Sequence, residues 1–150
     1  MPEPPEAAPF RFIYPVPVRF RDLDAMGHAH HSLALIYIEE ARAAYWRDVL
    51  GRNELDEIDY VLGQVSVRFL KRITFPGTLR VGVRVSRLGN SSFTMQYEIR
   101  GQSGEQLASA ETVQVMYDYA ADRPKPIPAE VRNSISEFER LASSGGAIAG

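Results

Sequence analysis

Between residues 64 and 119 the apolar side chains fall on odd-numbered positions in four successive segments. Val65, Val67, Phe69, Ile73 and Phe75 alternate with Gln64, Ser66, Arg68, Arg72 and Thr74. Leu79, Val81, Val83 and Val85 alternate with Arg80, Gly82, Arg84 and Ser86, and Phe93, Met95, Tyr97 and Ile99 with Thr94, Gln96, Glu98 and Arg100. Val113, Val115, Tyr117 and Tyr119 alternate with Thr112, Gln114, Met116 and Asp118. Alternation with period two predicts half-buried strands that turn one face to a core. The interruptions Pro76-Gly77, Gly89-Asn90-Ser91 and Gly101-Gln102-Ser103-Gly104 are turn sequences. Breaks this short imply antiparallel hairpins.

The apolar face of such a sheet needs a cover, and residues from about Ser32 to Leu50 supply one. Leu33, Ala34, Leu35, Ile36, Tyr37 and Ile38 form an unbroken apolar run, so a helix here is greasy on nearly every side and must be covered on most of them. Gly51 suits its C-terminal stop. Upstream, Val16, Val18 and Phe20 alternate with Arg19 and Arg21 and predict a first strand. Pro15 and Pro17 make that strand short or place it on an edge. Pro128 can open a final helix with Val131, Ile135, Phe138 and Leu141 on one stripe. The expected order is β-α-β-β-β-β plus a C-terminal helix, an α+β arrangement of one antiparallel sheet around a single long helix. At 150 residues the chain should form one domain over 1–150, with 1–9 and 143–150 flexible.

Composition excludes several classes. A formal net charge of −2 gives no electrostatic footprint for nucleic acid. No apolar run approaches the roughly 20 residues that span a bilayer, so no membrane partner is expected. The acidic, proline-rich start MPEPPEAAPF is unlike a signal peptide. There is no cysteine, hence no disulfide and no thiol chemistry. Together these point to a cytoplasmic protein.

Chemistry concentrates in the loop before the long helix. Asp22-Leu23-Asp24-Ala25-Met26-Gly27-His28-Ala29-His30-His31 holds two carboxylates, a glycine and all three histidines of the chain. A polar loop entering a buried helix sets unpaired backbone N–H groups beside the Asp24 carboxylate, a place where an oxyanion can form. The same Asp24 would serve equally as the cap of the turn. His28, His30 and His31 with Asp24 also offer four metal ligands. The H-x-H-H run is faintly like that of metallo-β-lactamase-fold hydrolases, but those spread further histidines along the chain and this one has none left. No metal and no cofactor is therefore expected.

Val18-Arg19-Phe20, Asp22, Asp24, Gly27 and His28, followed by Glu39-Glu40-Ala41-Arg42 and Tyr45, resemble the motif of hotdog-fold acyl-CoA thioesterases of the 4-hydroxybenzoyl-CoA thioesterase type. Two departures stand out: His30-His31 replace an Asn-Asn pair, and Ala34 stands where an aromatic is common. The resemblance implies a hotdog fold, hydrolysis of an acyl-CoA to a free acid and CoA, and chains paired into a homodimer or homotetramer with sites at the interface.

Residue by residue, the resemblance makes Asp24 the catalytic carboxylate, as general base or nucleophile. It makes the His31 backbone amide the oxyanion donor. A leaving thiol with a pKa of about 8.5 needs no strong general acid. His28 would hydrogen-bond the thioester carbonyl or hold Asp24, or fix the loop. Gly27 and His30 would shape the pocket, and Leu33, Ala34, Tyr37 and Ala41 its floor. Ser92, in the Ser91-Ser92-Phe93 run, would touch pantetheine or a partner chain, or cap its own turn. Arg72, with Arg68, Lys71, Arg123 and Lys125, would meet CoA phosphates. Arg68 and Arg72 share a strand face in this reading. Asp22 is read as orienting the loop and Glu40 as an ion-pair member. Two alternatives stand beside hydrolysis: a non-catalytic acyl-CoA or acyl-carrier binder, and hydration of an enoyl thioester, whose usual helix motif is absent.

Overall fold

In the computed structural model, which describes residues 10–52 and 59–141, strand β1 (Phe12–Pro17) pairs antiparallel with β3 (Thr78–Leu88). β3 pairs with β4 (Ser92–Arg100), β4 with β5 (Gln106–Asp118), and β5 with β2 (Tyr60–Phe69). A two-residue β6 (Arg123–Pro124) also joins β5. The order across the sheet is β1-β3-β4-β5-β2. Helix α1 (Leu33–Leu50) packs on β1 and β3, and α2 (Ala129–Glu139) packs on α1 and β3. This is the expected hotdog arrangement, with one short strand added before α2. The expectation about residues 1–9 and 143–150 lies outside the described residues.

α1 forms where the apolar run demanded it. Gly51 closes it in the left-handed region at φ +70°, its N–H returning to the carbonyls of Arg47 and Trp46. Tyr37, Ile38, Ala41, Tyr45 and Trp46 are buried against the sheet. Trp46 stacks on Phe93 at 5.7 Å and meets Tyr60 edge-on at 5.0 Å. The cover is not complete: Leu35 and Ile36 stay 42% and 45% exposed. On α2, Val131 and Ile135 are buried and Phe138 packs edge-on against Tyr45. The Glu139 carboxylate at its end accepts the Tyr45 hydroxyl and the Val85 N–H, both at 2.8 Å, tying α2 to the helix and to the sheet.

Three details differ from the alternation reading. The first strand is Phe12–Pro17, and it carries Pro15 and Pro17 within it on the sheet edge. Val18 lies beyond it, and Phe20 opens a single 3-10 turn, Phe20–Asp22, with its ring in solvent. Next, β2 ends at Phe69, so Arg72, Ile73, Thr74 and Phe75 belong to the connection that follows, and Arg72 shares no strand face with Arg68. Val65, Val67 and Phe69 of β2 do face the helix side, being paired with Thr112, Ala110 and Ala108, but only Val67 packs against the core. Val65 and Phe69 remain 38% and 48% exposed.

The third difference is the phase of β5. Phe93 pairs with Gln114, Met95 with Thr112, and Tyr97 with Ala110. The even residues Thr112, Gln114 and Met116 are therefore the fully buried ones, while Val113, Val115 and Tyr117 lie half-buried on the other face and Tyr119 is exposed. The inward polar residues join a cluster around Arg42 of α1, which is buried and needs acceptors in the core. Its Nε donates to the Tyr60 hydroxyl and its Nη1 to the Tyr97 hydroxyl, each at 3.2 Å. Tyr97 shares a 2.7 Å hydrogen bond with Thr112, whose hydroxyl also accepts from Gln114. A polar core cluster thus draws on the polar face of β5.

The Trp46→Ala variant should lose about 3–5 kcal/mol, because it removes the ring that joins α1 to β4 and β2. Urea unfolding followed by far-ultraviolet circular dichroism measures this, and a loss below about 1 kcal/mol would contradict the packing described.

Candidate active site

The loop between β1 and α1 is folded by its own backbone and then fastened at both ends. Gly27 N–H donates to the Asp24 carbonyl at 3.0 Å, and Asp24 N–H to the His28 carbonyl at 3.0 Å. Gly27 sits at φ +83°, a conformation that favours glycine, which is its role here. The Asp24 carboxylate accepts the Met26 N–H through Oδ1 at 2.8 Å, the expected turn-capping bond. Ala29 N–H reaches the Ile73 carbonyl at 2.8 Å and His28 bridges to Thr74, which draws the 70–73 connection alongside the loop.

Asp22 anchors the other side. Its buried carboxylate accepts the Arg19 N–H at 2.9 Å and the Tyr37 hydroxyl at 2.8 Å. Its carbonyl takes the His30 N–H at 3.2 Å. Tyr37, expected in a pocket floor, is fully buried and holds the loop from α1 instead. Ala34 and Ala41 are core residues for the same reason: that side of α1 faces the sheet. Glu40 pairs with Arg19 at 3.3 Å, so the ion pair is with the residue before the loop.

A cavity of about 340 Å³ opens between the loop and the 69–73 segment. Asp24, His28, His30, His31 and Arg72 all line it, together with Phe69, Leu70, Lys71 and Ile73. Asp24 is half-buried at its wall. Its second carboxylate oxygen, Oδ2, has no hydrogen-bond partner among the described residues. The His31 N–H likewise has no acceptor among them, while the next donors are used: Ser32 N–H bonds His30 Nδ1, and Leu33 and Ala34 N–H return to the His30 and His31 carbonyls. His31, whose amide is free among the described residues, thus lines the same cavity as Asp24.

The two substituted histidines lie against each other. Their rings are 4.0 Å apart and tilted by 34°, and His31 meets the Phe69 ring edge-on at 6.4 Å. His30 Nδ1 is 2.8 Å from the Ser32 hydroxyl, which fixes its orientation. Among the described residues no three His, Cys, Asp or Glu gather closely enough to hold a metal ion.

Ser92 is not part of this cavity. It begins β4, where its carbonyl takes the Gly89 N–H and its Cα pairs with Val115. Gly27 shapes the turn without lining the cavity. Lys125 is engaged by Asp59 at 2.9 Å. Phe69, Leu70 and Ile73 line the cavity without belonging to the loop motif. A signal for them exists in the residues, because alternation fails at Leu70-Lys71, which marks the end of the strand.

The fold and this constellation define a hotdog thioesterase-like protein, and the chain belongs to the thioesterase-like superfamily, whose model matches residues 18–135. Among solved structures it is similar to a thioesterase from Thermus thermophilus complexed with coenzyme A and Zn. That likeness has 34% identity, covers 87% of this chain and 96% of that one, and gives a TM-score of 0.80. Among sequences, the Bacillus subtilis (strain 168) protein YsmA is 29% identical over 106 residues, 71% of this chain and 72% of that one. The 1,4-dihydroxy-2-naphthoyl-CoA hydrolase of Thermosynechococcus vestitus is 26% identical over 132 residues, 80% of this chain and 88% of that protein.

Burial, then the bond to Asp22, push the ionisation of the Tyr37 phenol far above its usual range near 10. Burial and Glu139 do the same to Tyr45. The unfolded chain therefore sheds protons above about pH 10 that the folded chain keeps, so stability falls as pH rises through that value. Tyr37→Phe should flatten part of this decline and cost about 1–3 kcal/mol near neutrality by removing a donor to buried Asp22. Urea midpoints taken between about pH 7 and pH 11 test both statements. An unchanged midpoint at neutrality would show that Asp22 does not depend on the bond.

Proposed function

We propose that this protein hydrolyses acyl-CoA thioesters to a free acid and CoA. The observation that carries the reading is the shared wall of one cavity. Asp24 brings a carboxylate oxygen with no other partner among the described residues, and the His31 amide at the start of α1 brings a donor with none. A thioester carbonyl held between them would develop its negative charge at the amide, aided by the dipole of α1. Asp24 then activates a water or attacks the carbonyl itself, and the thiolate leaves without a strong acid. His28, on the same wall, orients the carbonyl or the carboxylate. The cations of Lys71 and Arg72 at the cavity suit the phosphates of CoA. The CoA complex of the Thermus thermophilus thioesterase supports a CoA thioester as the substrate.

We read the active form as a homodimer or homotetramer. The edge strand β1 is blunted by Pro15 and Pro17, whereas β2, the opposite edge, has no proline. Pairing would run through β2 and set a second copy beside the cavity. Among the described residues no helix is long and apolar enough to cross a membrane, and we place the reaction in the cytoplasm, on 1–150 as one domain. A binder without turnover is the second reading, favoured by the Asp24 oxygen already taken by Met26.

Asp24→Asn is a clean test, since the amide oxygen can still accept the Met26 N–H and keep the turn. CoA release should fall by about 10²–10⁴ with the fold unchanged. A fall of less than about tenfold would remove Asp24 from the chemistry. Stabilisation of the wild type by acyl-CoA with no CoA released would establish the binder instead.

A further inference from the structure

Arg42 carries a charge that the described residues do not neutralise. It is 7% exposed, and its acceptors are two phenol oxygens, Tyr60 and Tyr97. No carboxylate lies within ion-pair distance of it among the described residues, and its second terminal nitrogen, Nη2, donates to nothing there. An arginine keeps its proton in such a place. A buried cation without an anion is costly. The cluster around it is short of a donor as well, because Gln114 Oε1 is fully buried and unpartnered.

This cluster is continuous with the cavity. Thr112, which holds Tyr97, pairs across the sheet with Val65 of β2, and Gln114 pairs with Leu62. Val67 and Phe69 continue the same face of β2, opposite Ala110 and Ala108. Phe69 touches His31 at the cavity. So a partly exposed apolar strip runs along β2 from Phe69 at the candidate active site to Val65, which lies opposite Thr112 of the Arg42 cluster: Phe69 and Val65 are 48% and 38% exposed. From Phe69 to Val65 the strand advances about 14 Å at ~3.4 Å per residue.

We propose that the strip seats an acyl chain whose far end is a carboxylate bound by Arg42. The substrate class is then the monothioesters of α,ω-dicarboxylic acids with CoA, an assignment that rests on the hydrolase reading of the cavity. A carboxylate takes the free Arg42 nitrogen as a charge-assisted acceptor. One water beside it can donate to Gln114 Oε1. An extended chain advances roughly 1.25 Å per bond, given bonds of ~1.5 Å at ~111°. The strip therefore matches about eleven bonds, the length of a dodecanedioyl group.

The experiment compares dodecanedioyl-CoA with dodecanoyl-CoA, which differs mainly in lacking the terminal carboxylate, and measures thermal stabilisation by the two free acids. The wild type should show a KM for the diacid thioester about tenfold to a hundredfold lower, and the free diacid should raise Tm while the monoacid does not. Arg42→Gln should abolish that preference, bringing the two KM values together within the variant. If that variant does not fold, Val65→Asp, at a half-exposed position beside Thr112, offers Arg42 a tethered carboxylate and should remove the preference in the same way. Equal KM values, or a preference that survives these variants, would overturn the assignment. So would failure of both acids to bind, the result expected if a second copy fills the strip. Should no thioester be cleaved while the free diacid still stabilises the protein, the hydrolase reading fails and recognition by Arg42 stands.

Discussion

The buried carboxylate of Asp22 is the fastening on which the site geometry depends. It receives one bond from the backbone just before the loop and one from the hydroxyl of Tyr37, a full turn inside α1. A charged acceptor with two donors is a strong tie in a place closed to water. It sets the loop against the flank of the helix, so that Asp24 and His31 line one cavity. The second tie, Ala29 to Ile73, brings in the chain that follows β2. Without it the cavity would have only one side.

Much of this was legible in the residues. The greasy run at 33–38 and Gly51 gave a helix within a residue of its observed start and end, and the alternation placed β3 and β4 with the correct inward faces. The motif around Asp24 and His28 pointed to the segment that does line the cavity. Spacing could not supply phase. In β5 both faces are partly apolar, and the face that turned inward was the one whose Thr112 bonds Tyr97, an acceptor for Arg42. That choice depends on a side chain some seventy residues away in sequence, which no local pattern contains. Tyr37 failed for a related reason: an apolar run does not say which of its members finds a polar partner, and Asp22 was that partner.

Phe69 marks a different limit. Its parity predicted a place over the helix-facing side of the sheet, and it has one. What parity cannot state is how far the helix extends across the sheet. α1 meets β2 at Tyr60, through Arg42 and Trp46, while Val65 and Phe69 farther along that strand stay partly exposed, so an inward position there is still open. An apolar side chain can face the core side of a sheet and line a cleft instead of the core.

The proline pair in β1 carries a consequence for assembly. Two missing N–H groups on the outer rim discourage a further strand from docking there. Joining through β2 uses up the sheet's remaining adhesive margin. Two copies meeting by a two-fold rotation would then close on each other, leaving nothing from which a ribbon of chains might grow.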